Sequence, residues 1–170
     1  MAAIDIVLLI IFFGFVVSGF WFGLVHILGN IIGIIFAILA ASYFYDDFSP
    51  FLQFLFFKEP IANWLAFIII FVLVNRLVGF AVRMIDKGFK IFKIIPFISS
   101  INRLGGGLLS FVEAALVLGT ILYVGTKFLG DMPLVQTIQS SAFASILIKV
   151  AKILLPLIPD SIKYLQNIMP

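Results

Sequence analysis

Residues 6–45 read IVLLIIFFGFVVSGFWFGLVHILGNIIGIIFAILAASYFY, forty residues without a formal charge. A single helix of this length would be ~60 Å long at a rise of ~1.5 Å per residue. The hydrocarbon core of a bilayer is about 30 Å thick and takes about 20 residues. The stretch therefore predicts two membrane crossings joined by a tight turn. Gly19 and Gly23 loosen the backbone at the turn, and Trp21 suits the membrane–water boundary.

The composition of the whole chain also indicates a membrane protein. Of its 170 residues, 64% are hydrophobic and 11% are charged, whereas a soluble domain has about 25% charged residues. Neither half of the 6–45 stretch has the polar face that a soluble helix turns to water. There is no cysteine, which excludes disulfides and thiolate chemistry. Because Asp5, not a basic residue, precedes the apolar run, we expect the first helix to be retained in the mature protein.

Four apolar stretches succeed one another along the chain and predict an all-α integral membrane protein with four transmembrane helices plus a C-terminal amphipathic helix. They lie in a predicted membrane domain, residues 1–130, which is followed by an amphipathic tail, residues 131–170. The predicted spans are residues 5–20, 24–45, 61–82 and 104–128.

A predicted break separates the second span from the third, at residues 46–60. Two aspartates end the second helix, and Ser49-Pro50 turns the chain. Pro60 suits the first turn of the next helix. The run at residues 51–57 is too short to span, so we expect it to lie in the membrane interface.

The tail contains the pattern of an amphipathic helix at residues 140–155. Such a helix lies on the membrane with its apolar side buried among the lipids. A fifth span is the alternative, but two lysines and two prolines disfavour it. The polar side consists of Ser141, Ser145, Lys149 and Lys152, and the apolar side of Phe143, Ile146, Leu147, Val150 and Leu154.

The segment from residue 83 to residue 103 is strongly basic, with five basic residues against one aspartate. By the positive-inside rule this segment is cytoplasmic, which places both termini outside. We expect its basic residues to face anionic lipid headgroups. A nucleic-acid-binding protein would need more charge and a soluble domain. The predicted lipid-facing residues are Arg83, Lys87, Lys90 and Lys93.

Small residues recur every four positions in the second and fourth spans, so each series lies along one helix face. Small faces let membrane helices approach closely. We expect these faces to pack on another span or on another subunit. They are Gly29, Gly33, Ala37 and Ala41 in one helix, and Gly106, Ser110 and Ala114 in the other.

Arg76 and Glu113 are charged residues that fall well inside predicted spans, away from their end residues. A charge at this depth is costly and is usually paired or faces water. Their similar depth suggests that they pair with each other, which would relieve two buried charges. The alternative for Arg76 is that its long stem carries the guanidinium to the headgroups.

Catalytic and metal-binding motifs are absent from the sequence. A metal ion needs three or four convergent ligands, and His26 is the single histidine of a chain without cysteine. We expect His26 to lie at the membrane interface. No nucleophile–base motif is present. We therefore expect no enzymatic activity, no metal and no cofactor.

Short motifs along nearly the whole chain resemble those of the colicin V production protein (CvpA) family. They are an aspartate near the N-terminus, a turn glycine, and an Asn-Arg pair that precedes a glycine at the start of the last span. Asn102 stands where the family has aspartate, and Phe22 and His26 stand where it often has charged residues. The matching residues are Asp5, Gly23, Asn102, Arg103 and Gly106.

The resemblance implies a multi-pass protein of the bacterial inner membrane. It implies a part in the production or export of colicin V, a bacteriocin toxin, and in envelope homeostasis. We expect an accessory or scaffold subunit that contacts the lipid bilayer and either copies of itself or other membrane proteins. The alternative is an oligomeric channel or transporter-like conduit, with Arg76 and Glu113 at membrane depth.

Overall fold

The computed structural model describes residues 3–55, 58–88, 96–130 and 132–157. Within these ranges the chain is entirely helical. Four helices are long and apolar enough to cross a membrane, and a bent C-terminal pair would make a fifth crossing if it counts as one span. The predicted all-helical membrane fold with four spans is thus confirmed. The helices are α1 (Ala3–Phe22), α2 (Leu24–Phe54), α3 (Glu59–Gly88), α4 (Pro96–Phe128), α5 (Pro133–Ser140) and α6 (Ala142–Ala151), followed by the 3-10 helix Lys152–Leu157.

Helix α4 lies at the centre of the bundle. It packs against α1 and α2, and α2 in turn packs along α3. In its most apolar stretch 61% of the residues of α4 are buried, against 22% in α1 and in α3. The spatial order of the spans is therefore α3, α2, α4, α1. Helices α1 and α2 are neighbours in the chain but make little contact with each other.

The main hydrophobic core lies where α2, α3 and α4 meet. The rings of Phe67 and Phe71 on α3 stack with their centroids 6.1 Å apart. They pack in one cluster with Ile34 and Ile38 of α2 and Val124 of α4. Lipid tails are as apolar as these side chains, so the core is stabilised mainly by close van der Waals packing.

Helix α2 is longer than the sequence predicted. It continues through Asp46, Asp47 and Pro50 to Phe54, so the predicted break begins nine residues later than expected. At ~1.5 Å per residue its 31 residues are about 46 Å long, which exceeds the ~30 Å of the bilayer core. The aspartates can therefore stay in the helix and still reach water. The rest of the predicted interfacial run, residues 56–57, lies outside the described residues.

Polar contacts support the end of α2 at the place where Pro50 removes a backbone donor. The Ser49 hydroxyl bonds to Oδ1 of Asn63 on α3. Gln53 Nε2 donates to Ser49 Oγ at 3.1 Å. Tertiary contacts thus hold the helix through a proline that would otherwise favour a break.

The helices on either side of the basic segment are also longer than predicted. Helix α3 continues to Gly88, and α4 begins at Pro96, eight residues before the predicted start of the fourth span. Pro96 therefore starts a helix, in the first turn where a missing N–H costs nothing. Lys90, Lys93 and the side chains of Arg83 and Lys87 lie outside what the structure describes.

The C-terminal part of the chain folds back onto the bundle. Helices α5 and α6 meet at an angle of 91°. Ser141 lies at the bend, and its Oγ accepts a hydrogen bond of 2.9 Å from the N–H of Ala144, which caps α6. Residues 158–170 of the predicted tail lie outside the described ranges, as does Asp131.

Helix α6 packs against α4 with a face that overlaps the predicted apolar side only in part. Ala144, Leu147 and Ala151 are buried, whereas Ile146 and Val150 of the predicted side are exposed. A C-terminal helix is therefore present, and Leu147 and Phe143 of the predicted apolar side pack on the bundle together with the small residues Ala144 and Ala151. Its position on the membrane surface stays a prediction.

Candidate functional site

The small-residue face of α2 lies inside the bundle, against α3. A side chain added at Gly29 would collide with a valine of α3, and a Cβ at Gly33 would lie 2.6 Å from Oδ1 of Asn75. Further along the same face, Ala37 and Ala41 are fully buried. The close approach of this face is therefore to another span of the same chain.

The small-residue face of α4 lies against α1. A side chain at Gly106 would overlap the backbone of Gly19 and Gly23. Ser110 is fully buried, and its hydroxyl donates to the carbonyl of Gly107 at 2.7 Å. Ala114 is fully buried too. Both small-residue faces are thus used within one chain.

The turn between α1 and α2 is a joint of one residue, Gly23, with φ of 83°. Only glycine adopts this conformation without strain. Asn102 of α4 caps the next helix, because its Oδ1 accepts a hydrogen bond of 3.0 Å from the N–H of Leu24. An aspartate would offer the same acceptor, so asparagine keeps the cap without the charge. The motif residues Gly23, Asn102 and Gly106 therefore meet at one point, while Arg103 beside them is exposed.

Asp5 joins the first helix to the last. Helix α1 begins at Ala3, so Asp5 lies within its first turn. Asp5 is buried, and its carboxylate accepts a hydrogen bond from the Ser141 hydroxyl. Negative charge is favourable at a helix N-terminus, and this carboxylate lies at the N-termini of both α1 and α6.

Three polar side chains, of which His26 and Glu113 are buried and Asn30 is half-buried, form a polar chain from α2 to α4. Glu113 lies midway along the apolar stretch of α4, about 20 Å from either end at ~1.5 Å per residue, and is 2% exposed. Its Oε1 accepts a hydrogen bond of 2.8 Å from Nδ2 of Asn30. The same Nδ2 lies 3.4 Å from Nε2 of His26.

Two of these three polar residues were not identified from the sequence as part of a buried site. Asn30 was not predicted as a polar site, and His26 was assigned to the membrane interface. His26 is buried, with its ring centroid 4.9 Å from that of Phe22. His26 and Asn30 are four residues apart, so their side chains lie on one face of α2. This spacing is the sequence signal that could have indicated a buried polar pair.

Arg76 and Glu113, the predicted pair, form neither a salt bridge nor a hydrogen bond in the described structure. Arg76 is exposed, although its charge acts on Glu113 through space. The partner of Glu113 is instead Asn30. Two buried oxygens, Oε2 of Glu113 and Oδ1 of Asn75, have no hydrogen-bond donor. One acceptor on α4 and one on α3 therefore lack a hydrogen-bond donor.

A comparison with protein families gives one match, to a family model described as colicin V production protein, over residues 4–152. The matched segment contains the Gly23 joint, Asp5, and the polar chain from His26 to Glu113. No curated protein and no solved structure matches the chain significantly.

Proposed function

The chain belongs to the colicin V production protein family, and from this membership we propose that it acts as an accessory or scaffold subunit in the bacterial inner membrane. In this role it supports the production or export of colicin V and the homeostasis of the envelope. We propose that it acts without catalysing a reaction and binds other membrane proteins or further copies of itself.

The observation that carries the accessory role is the inward orientation of two titratable side chains at membrane depth, together with the apolar outer face of α1. Glu113 and His26 are buried and linked through Asn30. The exposed side chains described on α1 are all apolar or aromatic, Phe13 and Val17 among them. Such a surface suits lipid tails and the spans of other proteins, and it offers little to a polar solute.

The surfaces proposed for partner contact are the outer faces of α1 and α3. These two helices are the least buried of the four spans. The faces rich in small residues cannot serve this purpose, because they are closed against neighbouring helices. We propose that the basic segment between α3 and α4 binds anionic lipid headgroups at the cytoplasmic side.

A second candidate function is an oligomeric conduit, and one observation favours it. Arg76 is exposed on α3 between the exposed apolar residues Leu73 and Leu77. A charge that faces lipid tails is costly. An oligomer that enclosed this face around a water-filled path would remove that cost.

One experiment separates the two functions. In a strain that secretes colicin V and lacks its own family member, the chain should restore secretion. Reconstituted in liposomes, the same protein should pass no more ions than protein-free liposomes. An ion flux that Arg76→Gln or Glu113→Gln alters would contradict the accessory role and support the conduit. Failure to restore secretion by a well-expressed protein would contradict both.

We propose that the termini are periplasmic and the α3–α4 connection cytoplasmic. Because the chain has no cysteine, Lys58→Cys and Ser100→Cys each introduce a single thiol at an exposed position. In intact spheroplasts an impermeant thiol reagent should label position 58 and should label position 100 only after lysis. The cysteine-free protein is the control, and the reverse labelling pattern would invert the proposed orientation.

A further inference from the structure

We propose that Glu113 binds a proton, so that its carboxyl group is the acid of a proton-binding site between α2, α3 and α4. This goes beyond the accessory role, which needs no titrating group. The ligand is a proton delivered by hydronium: a lone pair on Oε2 forms the new O–H bond as an O–H bond of hydronium breaks, a water molecule is released, and the carboxylate loses its negative charge. The burial of the carboxyl group, its shortage of hydrogen-bond donors and the absence of an ion pair to it within the described residues support this inference.

The carboxyl group has too few donors to be stabilised as an anion. An ionised carboxylate can accept about four hydrogen bonds, and Glu113 has one, from Asn30 to its Oε1. Its Oε2 is buried without a partner. No salt bridge reaches the group within the described ranges. An isolated charge in such an interior costs far more than a neutral polar group does.

Asn75 on α3 carries a second buried acceptor that has no hydrogen-bond donor. Its Oδ1 is a buried acceptor without a donor, and it lies over Gly33, one turn from Asn30 on α2. Once protonated, Oε2 of Glu113 becomes a hydrogen-bond donor in an interior where this oxygen and Oδ1 of Asn75 are both acceptors without a donor. One proton on Glu113 would therefore turn one of these two acceptors into a donor.

The neighbouring titratable and charged groups are His26 on α2 and Arg76 on α3. An amide nitrogen only donates hydrogen bonds. Nδ2 of Asn30 lies 3.4 Å from Nε2 of His26, so the imidazole is linked to the site through Asn30. Arg76 is exposed and makes no ion pair with the carboxyl group. Arg76 therefore does not supply the bonded positive charge that a buried carboxylate needs.

The sequence offers a direct test, because Glu59 and Glu113 are its only glutamates. Glu59 is exposed at the start of α3, so Glu59→Gln leaves Glu113 as the single glutamate without changing the bundle. Protein reconstituted in lipid nanodiscs at neutral pH would be examined by infrared spectroscopy, with and without ¹³C-glutamate. We expect the C=O stretching band of a protonated carboxyl, shifted by the isotope.

The band should persist in Glu59→Gln and disappear in Glu113→Gln. A Glu59→Gln protein whose isotope-sensitive bands all belong to a carboxylate would overturn the proposal. This outcome is decisive even if Glu113→Gln fails to fold, because the first variant leaves the site intact. It is also independent of colicin V secretion, so the proton site and the accessory role can fail separately.

Discussion

Gly106→Ala should destabilise the protein by about 1–3 kcal/mol or more, the cost of overpacking a closed contact. The added methyl group would overlap the backbone of Gly19 and Gly23, and backbone atoms cannot turn aside as a flexible side chain can. Helix α1 would have to move away from α4. The cap from Asn102 to Leu24 would weaken with it, a loss of about 1 kcal/mol for a typical helix cap.

Denaturant unfolding in mild detergent, followed by circular dichroism, measures this effect. Gly14→Ala is the matched control, since nothing lies within 4 Å of a Cβ at Gly14. Alanine is favoured over glycine within a helix by about 1 kcal/mol, so the control should be neutral or slightly stabilising. Equal stability of the two variants would show that α1 does not approach α4 at this point.

Gly119→Ala should release the C-terminal helix from the bundle. A Cβ at Gly119 would overlap the backbone carbonyl of Leu147 and crowd the methyl group of Ala151. Helix α6 would therefore have to lift from α4, at a cost of about 1–3 kcal/mol. The contact of α6 with α4 would be lost although no large side chain had been removed.

Limited trypsin digestion reports this release, because Lys149 and Lys152 are exposed on the C-terminal segment. Cleavage at these sites should be several-fold faster in Gly119→Ala than in the unaltered protein. Gly105→Ala, on the same helix, is the control, since its Cβ would meet only the end of the Leu24 side chain at 3.1 Å. Unchanged cleavage of Gly119→Ala would mean that α6 is not held by this contact.

The predictions for Gly106 and Gly119 concern positions where the backbones of two helices are in close contact. The sequence indicated only one of these two contacts. The four-residue spacing predicted the face that includes Gly106, because periodicity along a helix fixes which residues share a side. It could not predict the contact at Gly119, which belongs to no such series. That contact depends on a short helix from a distant part of the chain.

The partner of Glu113 shows the same limit. Depth along a span suggested Arg76, but depth does not reveal which way a side chain faces around the helix axis. In the structure α2 lies between α3 and α4, so Asn30 reaches Glu113 and Arg76 remains on the outside. The proline in α2 is a similar case, because a hydrogen bond between Ser49 and Asn63 of α3 supports a helix that local preference would end.

The sequence by itself determined that this is a four-span helical membrane protein of the colicin V production family, because apolar length and short local motifs are properties of the chain in one dimension. The tertiary structure alone decided the order of the spans, the packing of α6 on α4 and the contacts among His26, Asn30 and Glu113. These depend on how helices rotate and cross until their surfaces interlock, and residues far apart in the chain set that fit jointly.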